Sequence, residues 1–508
     1  MKNLNIILYS DVITVLLETH TNDIKNTFIR LQRDKVHFWI PSCLLPLLYS
    51  QFSSEQKQAF DELLTHVEIL SSLAIHWQEI PADHPDKIHA LVSLDAGVLP
   101  DKSIIWTNED TFHSKVEHIE YGDHEVLYSI LAEQEYDNQY ELYDLASTQL
   151  TLRPELEKRI FGILKQGRYI LTPEINELEV QLANYVNSRY CISVASGADA
   201  LRLALMAVGI QAGDEVITSP FTDMCTVNTI SLLGAKPVFV DINPQTFSLN
   251  VEELSHAITP QTKAIVAASL YGQCADFDSI NKIAGEHGLP VIEEGSQSFG
   301  ATYKNRDSCA LSTIGCTSFH SNLPFGTYGD GGACFTNDVR LAERMRSLRM
   351  QGRNRQDKQE NIGISSYFNS LQAAILLEKL TAFPKEVSQR IRVGNLYTEA
   401  LQMVVTTPYV EPHNTSIYSH YIIDVENRDQ VRESLLEQGV HTAIHCPTPA
   451  HLHPAYQHLN YAEGQFIMAE VAAQRTLSLP MYTYFSEDDI EYISNALKQA
   501  TNFHDFPF

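Results

Sequence analysis

Between residues 216 and 294 the chain reads Val216-Ile217-Thr218, then Pro237-Val238-Phe239-Val240, then Ala264-Ile265-Val266-Ala267, then Val291-Ile292-Glu293-Glu294. Each is a short apolar run of strand length, the pattern of a strand buried on both faces. A loop and a helical stretch follow each one. Strands alternating with helices build a large α/β domain, whose ligand sits at the carboxyl ends of the strands. Upstream, Glu155–Gln166 predicts a helix closed by Gly167, and Ile175–Val186 predicts another. From Val440 on, mixed strands and helices predict a smaller α/β cap.

The first 115 residues form a separate module. Asn5–Ser10, Val36–Ile40 and Ile104–Thr107 are short β-rich runs, with helical patterns such as Ser54–His66 between them. The alternation predicts a small α/β domain with a mainly parallel sheet. Residues 116–140 belong to an acidic stretch that begins near Glu109, and they read as a solvated connector. The boundaries expected are 1–115, 116–140, 141–385 and 386–508.

Composition narrows the function. The 508 residues carry a net charge of −27, which repels phosphate backbones and anionic membrane surfaces and makes nucleic acid an unlikely partner. No segment reaches the ~18 uninterrupted apolar residues of a membrane span. Met1–Leu17 is broken by Asp11 and lacks a small-residue cleavage site, so it reads as strand and helix. The eight cysteines are scattered with no CxxC pair, as expected of reduced thiols in a cytoplasmic protein without a zinc site.

Several further motifs occur in order along residues 141–508. They are Tyr143-Asp144-Leu145, Gly167-Arg168-Tyr169-Ile170-Leu171-Thr172-Pro173-Glu174 and Ser196-Gly197-Ala198-Asp199-Ala200-Leu201. Gly213-Asp214-Glu215-Val216-Ile217 and Gly234-Ala235-Lys236-Pro237 follow. Then come Tyr328-Gly329-Asp330-Gly331-Gly332-Ala333, His445-Cys446-Pro447-Thr448-Pro449 and Ser478-Leu479-Pro480-Met481-Tyr482. In this order they resemble the DegT/StrS-type sugar-nucleotide aminotransferases. The resemblance implies an aspartate-aminotransferase-type large domain (the type I pyridoxal-phosphate, or PLP, fold) plus a small C-terminal α/β domain. It also implies a dimer whose site is built across the interface. More faintly, residues 1–115 resemble PIN-type nucleases, through Ile6-Ile7-Leu8-Tyr9-Ser10-Asp11-Val12-Ile13, Ala90–Leu94 and Trp106–Asp110. That resemblance implies carboxylates holding Mg²⁺ or Mn²⁺. Asp11, Glu109 and Asp110 are the candidate ligands, while Tyr9 and His89 stand at two of the usual carboxylate positions. A degenerate binding domain is the expected reading.

A transaminase of this family needs a lysine for the cofactor imine and a carboxylate at the pyridinium nitrogen. It also needs a stacking aromatic ring and a helix start with hydroxyls for the phosphate. The family places its lysine in Ser-Phe-x-x-x-Lys-x-x-Gly. Here Ser318-Phe319-His320-Ser321-Asn322-Leu323-Pro324-Phe325-Gly326 puts Leu323 at that position. His320 is expected to be a packed or hydrogen-bonded core histidine, with a catalytic base as the competing reading. Glu294 stands at the aspartate, its carboxylate displaced by about 1.5 Å through one extra methylene. Asp223 stands at the stacking aromatic and Ala198 at a threonine, while Gly197, Gln297 and Ser318 are kept. Ser365 and Tyr367 stand where an asparagine and an arginine cross the dimer.

Three functions remain open. The first is a degenerate member without imine chemistry, acting by binding or assembly in nucleotide-sugar metabolism, as a homodimer or as a heterodimer with an active paralogue. The second is a sugar-nucleotide-modifying enzyme, aminotransferase or dehydratase-like, holding PLP or pyridoxamine phosphate (PMP) noncovalently. Glu294, His320 or His445 would then supply acid–base chemistry. The third is a metal-dependent ribonuclease in the first module.

Overall fold

A computed structural model describes residues 4–7, 36–41, 67–70, 74–77, 90–93, 140, 152–354 and 356–501. The chain separates into two compact units, residues 1–137 and 138–508. In the first, β1 (Leu4–Ile7), β2 (Val36–Pro41) and β3 (Val67–Leu70) form a parallel sheet in that order, with Leu4 opposite Val36 and Phe38 opposite Val67. β4 (Ala74–Trp77) and β5 (Ala90–Ser93) pair antiparallel. Asp11, Glu109, Asp110, Tyr9, His89, the Ile104–Thr107 run and the helix at Ser54–His66 lie outside the described residues.

The second unit is built on a seven-stranded sheet. Its strands are β6 (Tyr190–Val194), β7 (Glu215–Thr218), β8 (Lys236–Phe239), β9 (Thr262–Ala268), β10 (Val291–Glu294), β13 (Ile314–Ser318) and β14 (Gly332–Thr336). The order is β6-β14-β13-β10-β9-β7-β8. β14 runs antiparallel to both its neighbours, and the other pairings are parallel. All four apolar runs of the 216–294 stretch are strands of this sheet. Their inner positions are apolar because the sheet is covered on both faces; β10 is buried at every position, its two glutamates included.

The covering helices are α1 (Arg153–Gln166), α2 (Pro173–Tyr185), α3 (Gly197–Val208), α4 (Met224–Leu232), α5 (Val251–Ala257), α6 (Phe277–Glu286) and α7 (Val339–Arg349). Pro154 opens α1, and Gly167 closes it in the left-handed conformation at φ 66°. This agrees with the stop expected there. α3 is central: Ala200, Leu201, Leu203, Ala204, Leu205 and Ala207 are all buried against the sheet.

The 32-residue α8 (Ser370–Leu401) leads out of this lobe. The boundary expected at 385/386 falls inside it, beside Pro384. The small lobe packs the last turns of α8 (Val393, Tyr397, Leu401) against β16 (Tyr421–Asp424) and β17 (Thr476–Leu479), with α9 (Arg428–Glu437) and α11 (Glu487–Ala500) around them. α10 (Ile467–Arg475) instead packs on the large lobe, its first N–H groups bonded to Asp241. Short strands β11 (Thr302–Tyr303), β12 (Arg306–Asp307) and β15 (Asn414–Thr415) join the lobes in a small antiparallel sheet. Tyr140, expected in the connector, bonds its N–H to the Gly439 carbonyl at 2.7 Å and its hydroxyl to Asp489 at 3.0 Å, so it belongs with the small lobe. Among the described residues no helix is long and apolar enough to cross a membrane.

The junction is tight. Arg390 of α8, 9% exposed, donates to the carbonyls of Ile417, Tyr418 and Ser419. Tyr418 sits at φ 45°, and a Cβ on Gly394 would meet its ring at 2.3 Å. Gly394→Ala is therefore expected to cost about 1–3 kcal/mol, measured by urea unfolding. An unchanged midpoint would show that the ring has room to move.

Candidate functional site

The site lies where the carboxyl ends of β7, β10 and β13 meet the start of α3. Ser196 caps α3 by accepting from the Asp199 N–H at 3.1 Å. Gly197 is pressed onto the end of β13, where a Cβ would come within 2.5 Å of the Ser318 Cβ. A Cβ on Gly332, opposite Ser318 in the strand register, would meet the Ser196 carbonyl oxygen at 2.4 Å. Gly197, Ala198 and Ser318 thus share one corner, with the early N–H groups of α3 directed at it. This arrangement suits a phosphate.

Glu294 ends β10. It is 9% exposed and accepts from the Ser296 N–H at 3.1 Å. Burial raises its pKa, Ser296 opposes that, and the nearby Asp223 carboxylate adds to it. Asp223 is exposed and caps α4, accepting from the Cys225 N–H at 2.7 Å. Gln297 accepts from the Tyr271 N–H at 2.8 Å, which ties the site to the next loop.

The residues after Ser318 form a compact loop. Phe319 N–H donates to Gly331 O at 2.7 Å, Ser321 N–H to Gly329 O at 3.1 Å and Leu323 N–H to His320 O at 3.0 Å. Phe325 anchors it in an aromatic cluster with Phe299 and Phe383. His320 is exposed, its Nδ1 accepting from the Asn322 N–H at 3.4 Å, so it is not the packed core histidine that was expected. It stands in the turn just past the end of β13, which carries it out to the surface. Leu323 is half-buried in this loop. Lys379 of α8 reaches the same loop, but its Nζ donates to the Gly326 carbonyl at 2.6 Å and lies 5.9 Å from the centre of the Tyr328 ring. Burial lowers its pKa.

The structure adds residues that sequence reading passed over. Glu293, fully buried, points to the opposite side of β10 from Glu294. It accepts from the Ser308 hydroxyl (3.0 Å) and from the N–H groups of Cys309 (2.7 Å) and Leu311 (3.1 Å). The His420 and His445 rings lie with centres 4.0 Å apart and planes tilted by 40°, and Tyr271 stands edge-on to His420 and tilted against His445. Burial lowers both imidazoles, His445 to about 4 with Asp223 opposing the shift. The His445 Nε2 and the Thr222 Oγ1 are buried without a hydrogen-bond partner. His445 stood in a motif, but no spacing pointed to His420, which lies 25 residues earlier and on another element.

A PLP cofactor fits this site in part. The corner at Gly197 and Ser318 and the buried Glu294 carboxylate suit a cofactor phosphate and a ring nitrogen, while Leu323 and Asp223 offer neither an amine for an imine nor a ring to stack.

A family model for the DegT/DnrJ/EryC1/StrS aminotransferases matches residues 151–498. UDP-2-acetamido-2-deoxy-3-oxo-D-glucuronate aminotransferase of Pseudomonas aeruginosa is 46% identical over 358 residues, which is 70% of this chain and 99% of that protein. Among solved structures, an aminotransferase of the same family from Brucella abortus superposes with a TM-score of 0.69 at 38% identity, over 71% of this chain and 98% of that one. NtdA from Bacillus subtilis, with bound cofactor PMP, gives 0.67 at 26%, over 78% and 90%.

Burial pushes Glu293 from its ordinary 4.5 up to about 7, against its three donors. A carboxyl raised in the fold stabilises most below its unfolded pKa, and that contribution is lost as pH rises through the folded value. The stability of the protein relative to Glu293→Gln is expected to fall by roughly 3 kcal/mol between pH 4.5 and pH 8. Urea unfolding of both proteins across that range checks it; parallel curves would mean that Glu293 ionises freely.

Proposed function

The chain belongs to the DegT/DnrJ/EryC1/StrS aminotransferase family, and from that premise we propose that its 138–508 unit is a nucleotide-sugar-binding member without imine chemistry. Leu323 carries this reading. It occupies the lysine position of a loop that is otherwise well kept, and a leucine offers neither nucleophile nor base. Lys379, the lysine whose ammonium is bonded to this loop among the described residues, is engaged with the Gly326 carbonyl. A UDP-linked hexuronate derivative is the ligand class suggested by the relative from Pseudomonas aeruginosa. The corner at Gly197 and Ser318 favours a second reading, an enzyme that holds PMP noncovalently. When bound, that cofactor would supply a transferable amine; Glu294 would hold its ring nitrogen and α3 its phosphate.

The partner in this reading is a second chain of the same fold, either another copy or a lysine-bearing paralogue. Phe161 and Leu164 of α1 are exposed, as are Tyr169, Ile170, Leu171 and Tyr328. Main-chain contacts bring the 169–170 segment to Asn369 and Ser370 at the start of α8, and the Tyr328 N–H bonds Gln372 one turn on. Exposed large apolar side chains grouped in this way mark interaction surfaces. Ile170→Glu is expected to halve the sedimenting mass; an unchanged mass places the interface elsewhere.

Titration with PLP and with PMP, followed by borohydride and peptide mass mapping, tests the chemistry. The expected result is no reducible adduct with PLP. An adduct on any specific lysine overturns the proposal and restores an ordinary aminotransferase, while PMP binding without an adduct supports the second reading.

A further inference from the structure

Two cysteines face each other inside the large sheet. Cys316 of β13 and Cys334 of β14 are direct partners in the antiparallel register. Just past the end of that register the Phe319 N–H donates to the Gly331 carbonyl at 2.7 Å. Bonded and unbonded pairs alternate along an antiparallel ladder. Counting back from 319/331, 317/333 is a bonded pair and 316/334 an unbonded one. The Cys316 carbonyl agrees, since it faces the other neighbour and accepts from the Gly295 N–H at 2.8 Å. An unbonded pair holds its Cα atoms about 4.5 Å apart, inside the roughly 4.4–6.8 Å that a disulfide spans. The side chains converge too. Both thiols donate to one acceptor, the Ala200 carbonyl, at 3.5 Å from Cys316 and 3.1 Å from Cys334.

This dithiol adjoins the corner of the site. Ala200 lies in the first turn of α3, and its N–H donates to the Ser196 carbonyl at 3.0 Å. That carbonyl is the one on which Gly332 is pressed, and Gly332 and Ser318 are the next unbonded pair along the same two strands. The thiols are buried, at 2% and 0% exposure, and burial pushes Cys316 up, so the resting state is a pair of inert thiols open only to a small oxidant.

We infer that Cys316 and Cys334 form a redox latch on this corner, which a small peroxide closes to a cross-strand disulfide beneath the start of α3. One sulfur attacks the peroxide O–O bond, giving a sulfenic acid and a water. The second thiol then attacks that sulfur, the S–S bond forms, and the hydroxyl leaves with the thiol proton as a second water. Two thiols and one hydrogen peroxide thus give one disulfide and two waters; the thiols lose the two electrons that the peroxide gains. Closure withdraws both donors from the Ala200 carbonyl. It also draws the two Cβ atoms in to about 3.8 Å. The corner has no slack to absorb the movement, because even a methyl group on Gly197 or Gly332 would clash, so the first turn of α3 has to shift. The inference concerns the shape of the corner and stands whether or not a nucleotide sugar is its ligand.

The test treats the full chain with hydrogen peroxide at neutral pH, alkylates the remaining thiols after unfolding, and maps the unreduced peptides by mass spectrometry. The expected product is a peptide pair linked through Cys316 and Cys334 and released by dithiothreitol. Thiols at 316 and 334 that stay free, that end as sulfinic acid or that link to another cysteine such as Cys309 overturn the latch. Hydrogen exchange then reads the corner: peptides spanning the first turn of α3 are expected to exchange at least about threefold faster in the linked protein than in the reduced one. Equal exchange in the two forms overturns the coupling to the corner. In Cys334→Ala, which has no partner for Cys316, peroxide is expected to leave that exchange unchanged; a faster rate there assigns the effect to oxidation elsewhere and overturns the proposal.

Discussion

The start of α3 is pressed against the ends of β13 and β14 with no room for a methyl group on either side. Gly197 lies on Ser318, and Gly332 lies on the Ser196 carbonyl. This contact sets the depth of the site. It requires β14 to be inserted antiparallel between β6 and β13, and it places the loop of Leu323 directly over the helix start. Close packing of this kind transmits small volume changes without relaxing them. The corner therefore keeps its shape whether or not chemistry is done there.

That rigidity separates the residues that hold the scaffold from those that line the site. Ser196 still caps α3, Gln297 still receives the Tyr271 N–H and Glu293 still gathers three donors. These bonds hold backbone and cost several kcal/mol when left unmade in the interior. Leu323 and Asp223, by contrast, are half-buried and exposed, and Asp223 keeps only the cap of α4.

The two lobes meet on a narrow set of contacts. Arg390 spends its guanidinium on three carbonyls of the 417–419 segment, and Gly394 gives the Tyr418 ring its space. The same segment continues into His420, whose ring lies tilted against His445 beside the site. The pocket wall is thus contributed jointly by both lobes, and its shape depends on their junction.

Local patterns in the chain were enough for the sheet strands from 216 to 294 and the stop of α1 at Gly167. Each rests on neighbours a few residues away: a run covered on both faces and a glycine free to turn left-handed. The order of motifs along the chain likewise decided the family. Tertiary structure alone decided which groups meet. The exposure of His320, the contact of His420 with His445, the capture of Lys379 by the Gly326 carbonyl and the place of Tyr140 in the small lobe join residues 25 to 349 positions apart or turn on a loop's local geometry. Hydrophobic period and turn chemistry describe what a segment does with itself, and carry no record of which distant segment will cover it.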